Sequence, residues 1–158
     1  MRKKLKSRDG NVRQVLLFYG GADSTNQTSK ALQAIKGLNR SDIHFDVVIG
    51  SVNRNRASIE KQINDIPNAT IHIQVPHLAD LMRHADLALG AAGSATWERL
   101  CMGIPTIVTT VAENQLQLTQ YLIENDLIIW LGNAKDVDIV DIEKRLNSIL
   151  EEPEMLSR

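Results

Sequence analysis

Asp86-Leu-Ala-Leu-Gly-Ala-Ala-Gly-Ser-Ala-Thr-Trp-Glu-Arg99 reads as a short buried strand, a turn of small residues, and a helix that begins at the turn. A helix start presents backbone N–H groups without intrahelical partners and a partial positive charge. The small residues Gly90, Ala91, Ala92 and Gly93 would let a bulky anion approach the backbone closely. Glu98 follows Ser94 by one helical turn, so both project on the same side. A phosphate at the turn and a sugar diol near Glu98 fit this arrangement, which points to a nucleotide or nucleotide-sugar site.

On either side of this segment, apolar runs alternate with helical periods. Gln14–Tyr19 is a short apolar run ended by Gly20-Gly21. Residues 27–38 place Ala31, Leu32, Ile35 and Leu38 at helical spacing, and 45–49 form the next strand. Residues 56–66 put Ile59, Ile63 and Ile66 on one helical face; 69–75 are a third strand and 78–85 a short helix. Leu87–Leu89 are the fourth strand, with a helix from about Ser94 to Met102. The β-branched run 106–110, a helix over 116–123, a strand over 127–131 and an amphipathic helix over 136–150 complete the pattern.

Strands that alternate with helices predict an α/β domain. The expected form is three-layered and doubly wound, with a mostly parallel six-stranded sheet of Rossmann-like order 3-2-1-4-5-6. In that order strands one and four are neighbours at the point where the order reverses, and ligands bind in the crevice there. Strand one ends at Gly20-Gly21 and strand four at Gly90, so both glycine turns are expected beside one crevice.

Each candidate residue also has a structural explanation. Ser94 suits an N-cap. An acid such as Glu98 is favoured near a helix start by the dipole alone, although the residue three after Ser94 is Trp97, which excludes a capping box there. As a ligand group, the Glu98 carboxylate could accept two hydrogen bonds from a ribose diol. In the Gly20–Asn26 loop, Ser24 and Gln27 have capping-box spacing, and the glycines allow close approach of a phosphate or sugar. Asn114, with Gln117 three residues on, either caps its helix or reaches with Gln115 into the crevice.

Several chemistries find no support. The turn is neither G-x-G-x-x-G nor a P-loop, and no G-x-S-x-G elbow occurs. His44, His72, His77 and His84 form no pair with metal-ligand spacing; no cofactor or metal is expected, and His77 is a solvated loop residue or a minor edge candidate. A net charge of −1 gives no reason to expect nucleic-acid binding. No apolar run reaches the ~18 residues of a membrane span, and no signal peptide is visible. The lone Cys101 is expected to be a buried structural thiol in a reducing cytoplasm. Residues 1–13, with Arg2, Lys3, Lys4, Lys6, Arg8 and Arg13, read as a flexible, solvated basic lead-in or linker rather than a lipid contact, and 14–158 as one nucleotide-sugar-binding domain.

Phe18-Tyr-Gly-Gly-Ala-Asp-Ser-Thr-Asn-Gln-Thr28, Phe45-Asp-Val-Val-Ile-Gly-Ser51, Gly90-Ala-Ala-Gly-Ser-Ala-Thr-Trp-Glu-Arg-Leu-Cys-Met-Gly-Ile-Pro105 and Glu113-Asn-Gln115 occur in this order. Together they resemble the C-terminal domain of the UDP-sugar hydrolase of pseudaminic acid biosynthesis, over nearly the whole stretch 15–149. That enzyme belongs to the GT-B superfamily and is similar to the UDP-GlcNAc transferase of peptidoglycan synthesis. The resemblance implies that Gly93, Ser94 and Ala95 meet the diphosphate of UDP or a UDP-sugar and that Glu98 holds the ribose. It implies backbone contacts from Val75 to the uracil, Asn114 and Gln115 near the diphosphate or sugar, and Gly20 and Gly21 lining an inter-domain cleft. The catalytic histidine of that family lies in an N-terminal half not present in this sequence, so no catalytic residue is assigned. The chain is expected to be inactive alone, as a domain of a longer enzyme or a subunit with a separate catalytic partner. The alternatives are the UDP-binding half of a GT-B glycosyltransferase and a non-catalytic sugar-nucleotide-binding module.

Overall fold

The computed structural model describes residues 6–156. Its strands are β1 (Gln14–Phe18), β2 (His44–Ile49), β3 (Ala69–Ile73), β4 (Leu87–Ala91), β5 (Thr106–Thr110) and β6 (Ile129–Asn133). Its helices are α1 (Gln27–Leu38), α2 (Arg56–Asn64), α3 (Leu78–His84), α4 (Ala95–Cys101), α5 (Leu116–Glu124) and α6 (Ile139–Glu151). All five strand pairings are parallel, in the order β3-β2-β1-β4-β5-β6, so the doubly wound order expected from the sequence is present.

Alternation along the strands divides the core. Val15 and Leu17, Phe45, Val47 and Ile49, Leu87 and Leu89, and Ile107 pack against Ala31, Leu32 and Ile35 of α1, Ile59 and Ile63 of α2, and Ile142, Leu146 and Ile149 of α6. Leu16, Val48 and Ala88 face the other way, onto Met82, Ala85 and Ile104. Burying a Leu, Ile or Val side chain in this way contributes about 1.5–3 kcal/mol. Both faces of the central strands are therefore covered, which is why they read as continuous apolar runs.

Local details differ from the sequence expectation for identifiable reasons. Strand β6 begins two residues later than Leu127, because the Leu127 N–H donates to Leu122 O at 2.9 Å and closes α5. Strand β3 stops at Ile73, where Gln74 turns to a φ of 54°. Strand β4 runs on through Gly90 to Ala91, so Gly90 belongs to the strand rather than to the turn. Cys101 is exposed, not buried. The inward residues of α4 are Thr96 and Arg99, and Cys101 lies about 200° around the helix from Arg99.

The basic segment before β1 makes defined contacts from residue 6 onward; the part over 1–5 lies outside the described residues. Lys6 Nζ donates to Asp86 Oδ1 at 2.5 Å, and Arg8 reaches the carbonyls of Ala85 (3.0 Å), Met102 (3.0 Å) and Gly103 (3.1 Å). Arg8 thereby satisfies carbonyls left open at the end of α4. Among the described residues no helix is long and apolar enough to cross a membrane.

Candidate functional site

Parallel strands all point the same way, so the loops after β1, β2, β3, β4 and β5 open on one edge of the sheet. Phe18 pairs with Gly90 and lies on the strand next to it. The Gly20-Gly21 turn therefore lies beside the turn at Gly93. Gly20 has a φ of 92°, and a Cβ there would meet nothing within 4 Å, so this turn faces open space. Gly21 presses on Gly50 at the end of β2: its carbonyl accepts the Gly50 N–H at 2.9 Å, and a Cβ on Gly50 would come within 2.5 Å of that oxygen. Two loops are thus held backbone against backbone at the crevice floor, a role for Gly50 that the sequence reading missed.

The start of α1 is not capped by Ser24. The Asp23 carboxylate accepts the N–H groups of Gln27 at 2.9 Å and Thr28 at 2.8 Å, and Asp23 is buried whereas Ser24 is exposed. A carboxylate at this position matches the helix dipole. The turn after β4 also differs from a simple capping motif. Ser94 is exposed and its side chain makes no cap hydrogen bond. Glu98 is exposed one turn later. At Gly93 a Cβ would meet only the Gln115 Nε2, at 3.8 Å, so Gln115 lies alongside this turn.

Gln115 is positioned from within its own loop. Its Oε1 accepts the Val111 N–H at 3.0 Å, and its carbonyl accepts from the Thr119 hydroxyl at 2.8 Å. Asn114 lies in a 3-10 turn over Glu113–Gln115 and is exposed; it does not cap α5, whose first residue is Leu116. Val75 follows β3 at the same edge and packs in the second core cluster, together with Ala95. The structure thus brings Gly20, Gly21, Val75, Gly93, Ser94, Ala95, Glu98, Asn114 and Gln115 to one edge. The stretch Gly90–Ala92 does not serve as the open turn: Ala91 and Ala92 are buried, and a Cβ on Gly90 would lie 2.5 Å from Arg99 Nη1.

That contact exposes a second residue the sequence reading missed. Arg99 is 1 % exposed. Its Nη2 donates to Ala91 O at 2.8 Å and to Thr96 Oγ1 at 3.0 Å, while its Nε has no partner. Burial lowers its pKa to about 10, with Tyr19 and Glu98 opposing the shift, so it remains a cation at neutral pH. Burial also pushes the Tyr19 hydroxyl up, helped by Asp23 and opposed by Arg99. The only sequence signal was a charged residue on the inward face of a helix.

A cleft of about 310 Å³ opens farther along the same edge, lined by Thr25, Val111, Glu113, Leu116, Asn133 and Lys135 among others. Lys30 of α1 forms part of its support, donating to Ala134 O at 3.0 Å and Val137 O at 2.9 Å. Away from this edge, His72 Nε2 contacts Asp46 Oδ1 at 2.8 Å, and Gln14 donates to Asp46 Oδ2 at 2.6 Å. No group of three or more His, Cys, Asp or Glu residues suited to a metal occurs among the described residues.

The fold matches that of part of GT-B glycosyltransferases, less than half the length of each. MurG of Acinetobacter baumannii superposes with a TM-score of 0.74 over 96% of this chain and 47% of that one, at 14% identity. UGT89C1 of Arabidopsis thaliana in complex with UDP superposes with a TM-score of 0.68 over 92% of this chain and 36% of its own, at 16% identity. In sequence, the chain is 26% identical to the spore coat polysaccharide biosynthesis protein SpsG of Bacillus subtilis, over 77% of this chain and 36% of that protein. It is 28% identical to the UDP-N-acetylglucosamine–N-acetylmuramyl-(pentapeptide) pyrophosphoryl-undecaprenol N-acetylglucosamine transferase of a Sulfurovum species, over 87% of this chain and 42% of that enzyme. The chain thus spans less than half the length of these relatives. Residues 20–155 match the family described as "Protein of unknown function (DUF354)", and the chain belongs to that family.

Proposed function

We propose that this chain is the UDP-holding half of a GT-B enzyme that acts on nucleotide sugars in cytoplasmic steps of polysaccharide or nonulosonic acid biosynthesis. One observation carries the reading: Gly93, exposed Ser94 and exposed Glu98 stand beside the open Gly20-Gly21 turn where the strand order reverses. Gly93, Ser94 and Ala95 hold the diphosphate through the backbone N–H groups at the turn. Glu98 accepts from the ribose hydroxyls. Val75 offers its backbone to the uracil. Strand β3 lies three strand spacings from β4, roughly 14 Å, a span that an extended nucleoside diphosphate bridges. Asn114 and Gln115 approach from β5 toward the diphosphate or the sugar.

In this reading the chain stabilises the leaving group. Donors fixed before the reaction meet the charge that develops on the diphosphate as the bond to the sugar breaks. Whether water or an acceptor hydroxyl attacks is set by the part of the enzyme that positions it, for which the relatives' remaining length provides room. The ground for hydrolysis is the resemblance of the quoted motifs to the pseudaminic acid enzyme. The transferase named among the relatives favours transfer to an acceptor.

Titration of the chain with UDP, followed by backbone amide NMR, tests the site. The amides of Gly20, Gly21 and residues 93–98 are expected to move first. If they stay still at millimolar UDP while others shift, the site is misplaced. The pure chain is expected not to turn over UDP-sugars, and efficient hydrolysis by it would overturn this division of labour.

A further inference from the structure

Arg99 lies inside the turn that the proposed function assigns to the diphosphate. Its Nη2 holds Ala91 O at one end of the turn and Thr96 Oγ1 at the other, and Thr96 Oγ1 itself donates to Ala91 O at 3.2 Å. The guanidinium packs so closely on Gly90 that a Cβ there would lie 2.9 Å from its Cζ. The turn therefore closes around a cation.

No carboxylate pairs directly with that cation, and Glu98 acts on it only from a distance. Among the described residues no carboxylate comes within ion-pair distance of Arg99, and its Nε is a buried donor without an acceptor. Glu98, the adjacent acid, is exposed, and both Asp23 oxygens are taken by N–H groups of α1. A buried charge without a partner costs several kcal/mol. Stapling a turn needs only a neutral donor, which a glutamine would supply without that cost. The positive charge itself calls for an anion.

We propose that Arg99 is a positioning residue that supplies a buried counter-charge for the ligand's diphosphate. It touches no ligand atom. It holds the Ala91–Thr96 turn from inside and leaves one positive charge beneath it. This inference rests on the UDP-holding reading, and it adds that affinity depends on ligand charge through a residue the ligand never meets.

The test compares UDP, UMP and uridine as ligands of the wild-type chain, Arg99→Met and Arg99→Lys. Calorimetry gives each Kd, and thermal melts monitor the fold. At an effective dielectric near 20, a buried charge within about 10 Å of an anion changes affinity on the order of tenfold per ligand charge. Arg99→Met is therefore expected to lose UDP affinity by about tenfold or more, UMP affinity by less, and uridine affinity by under about twofold. Arg99→Lys is expected to regain most of the UDP loss. Equal losses for all three ligands, or no loss for UDP, would overturn the charge role and leave Arg99 a staple. Should Arg99→Met fail to fold, the wild-type Arg99 Nε–H resonance decides: it is expected to shift with UDP and not with uridine, and an equal response to both refutes the proposal. A wild-type chain that binds no UDP at all refutes the nucleotide reading itself, before any variant is compared.

Discussion

The two ends of strand β4 treat charge in opposite ways. At its start, Asp86 is buried and fully engaged: Oδ2 accepts the N–H groups of Arg13 and Gln14 at 3.0 Å each, and Oδ1 meets Lys6. At its end, Arg99 is equally buried but meets only neutral oxygens, through Nη2, and its buried Nε has no partner. Asp86 ties the incoming segment to β1 and β4, and its charge is cancelled where it stands. Arg99 leaves a charge in place beneath an exposed glycine turn. Its hydrogen bonds staple the turn, but the uncancelled charge adds nothing to folding that a neutral donor would not supply. Under the proposed function, the contrast separates an end that serves the fold from an end that serves the ligand.

The largest effect is expected at the balanced end. Asp86→Ala strands two backbone N–H groups and a lysine, and should destabilise the chain by about 3 kcal/mol in urea denaturation. UDP affinity measured well below the transition should not change. A change in affinity without a change in stability would erase the contrast. Gly90→Ala comes next, because the new Cβ would lie 2.5 Å from Arg99 Nη1 and 2.6 Å from Phe18 O, neither of which can simply swing away. Overpacking of this kind costs roughly 1–3 kcal/mol. The same substitution should also lower UDP affinity by displacing the guanidinium, which joins the two regions in one measurement.

Glu98→Ala should leave the melting temperature unaltered, because the side chain is exposed. Its loss of hydrogen bonds to the ribose is expected to weaken UDP by about tenfold, or ~1.4 kcal/mol, and pyrophosphate hardly at all. Equal weakening of both ligands would remove Glu98 from the ribose. The smallest effect belongs to an exposed ion pair. The Arg40 guanidinium hydrogen-bonds Asp42 and lowers its carboxyl to about 2. Because the folded value lies below the unfolded one, the stabilisation is complete above the unfolded pKa and is lost as pH falls through about 2. Because both side chains stand in solvent, Asp42→Asn should shift the neutral-pH denaturation curve little, and the small difference present at pH 7 should vanish as the pH falls through about 2. A clear destabilisation at pH 7 would show that surface charge matters here as much as the buried pair of ends.

Most of the fold was legible in the sequence, because the period of an apolar run depends on local geometry that each segment carries by itself. Helix α1 falls at Gln27–Leu38 in both readings, and the strand order follows from alternating strands and helices. The edge that gathers Gly20, Gly93, Glu98 and Gln115 followed from that order. Boundaries were less legible where a hydrogen bond between elements settles them, as when Leu127 closes α5 instead of opening β6. Caps were misassigned where two acceptors competed, and Asp23 displaced Ser24 because a buried carboxylate could reach two N–H groups at once.

The sequence by itself determined the alternation of elements, the parallel sheet and the glycine turns at its carboxyl edge, since these rest on periodicity and on backbone freedom within a few residues. Only the tertiary structure decided which glycine faces open space, that Cys101 points outward, and that Arg99 points in. Those outcomes depend on what lies across from a residue once strands pair and a helix lands on them. Gly90 illustrates the difference: its small size was read as room for a ligand, and the packed chain uses it as room for a guanidinium.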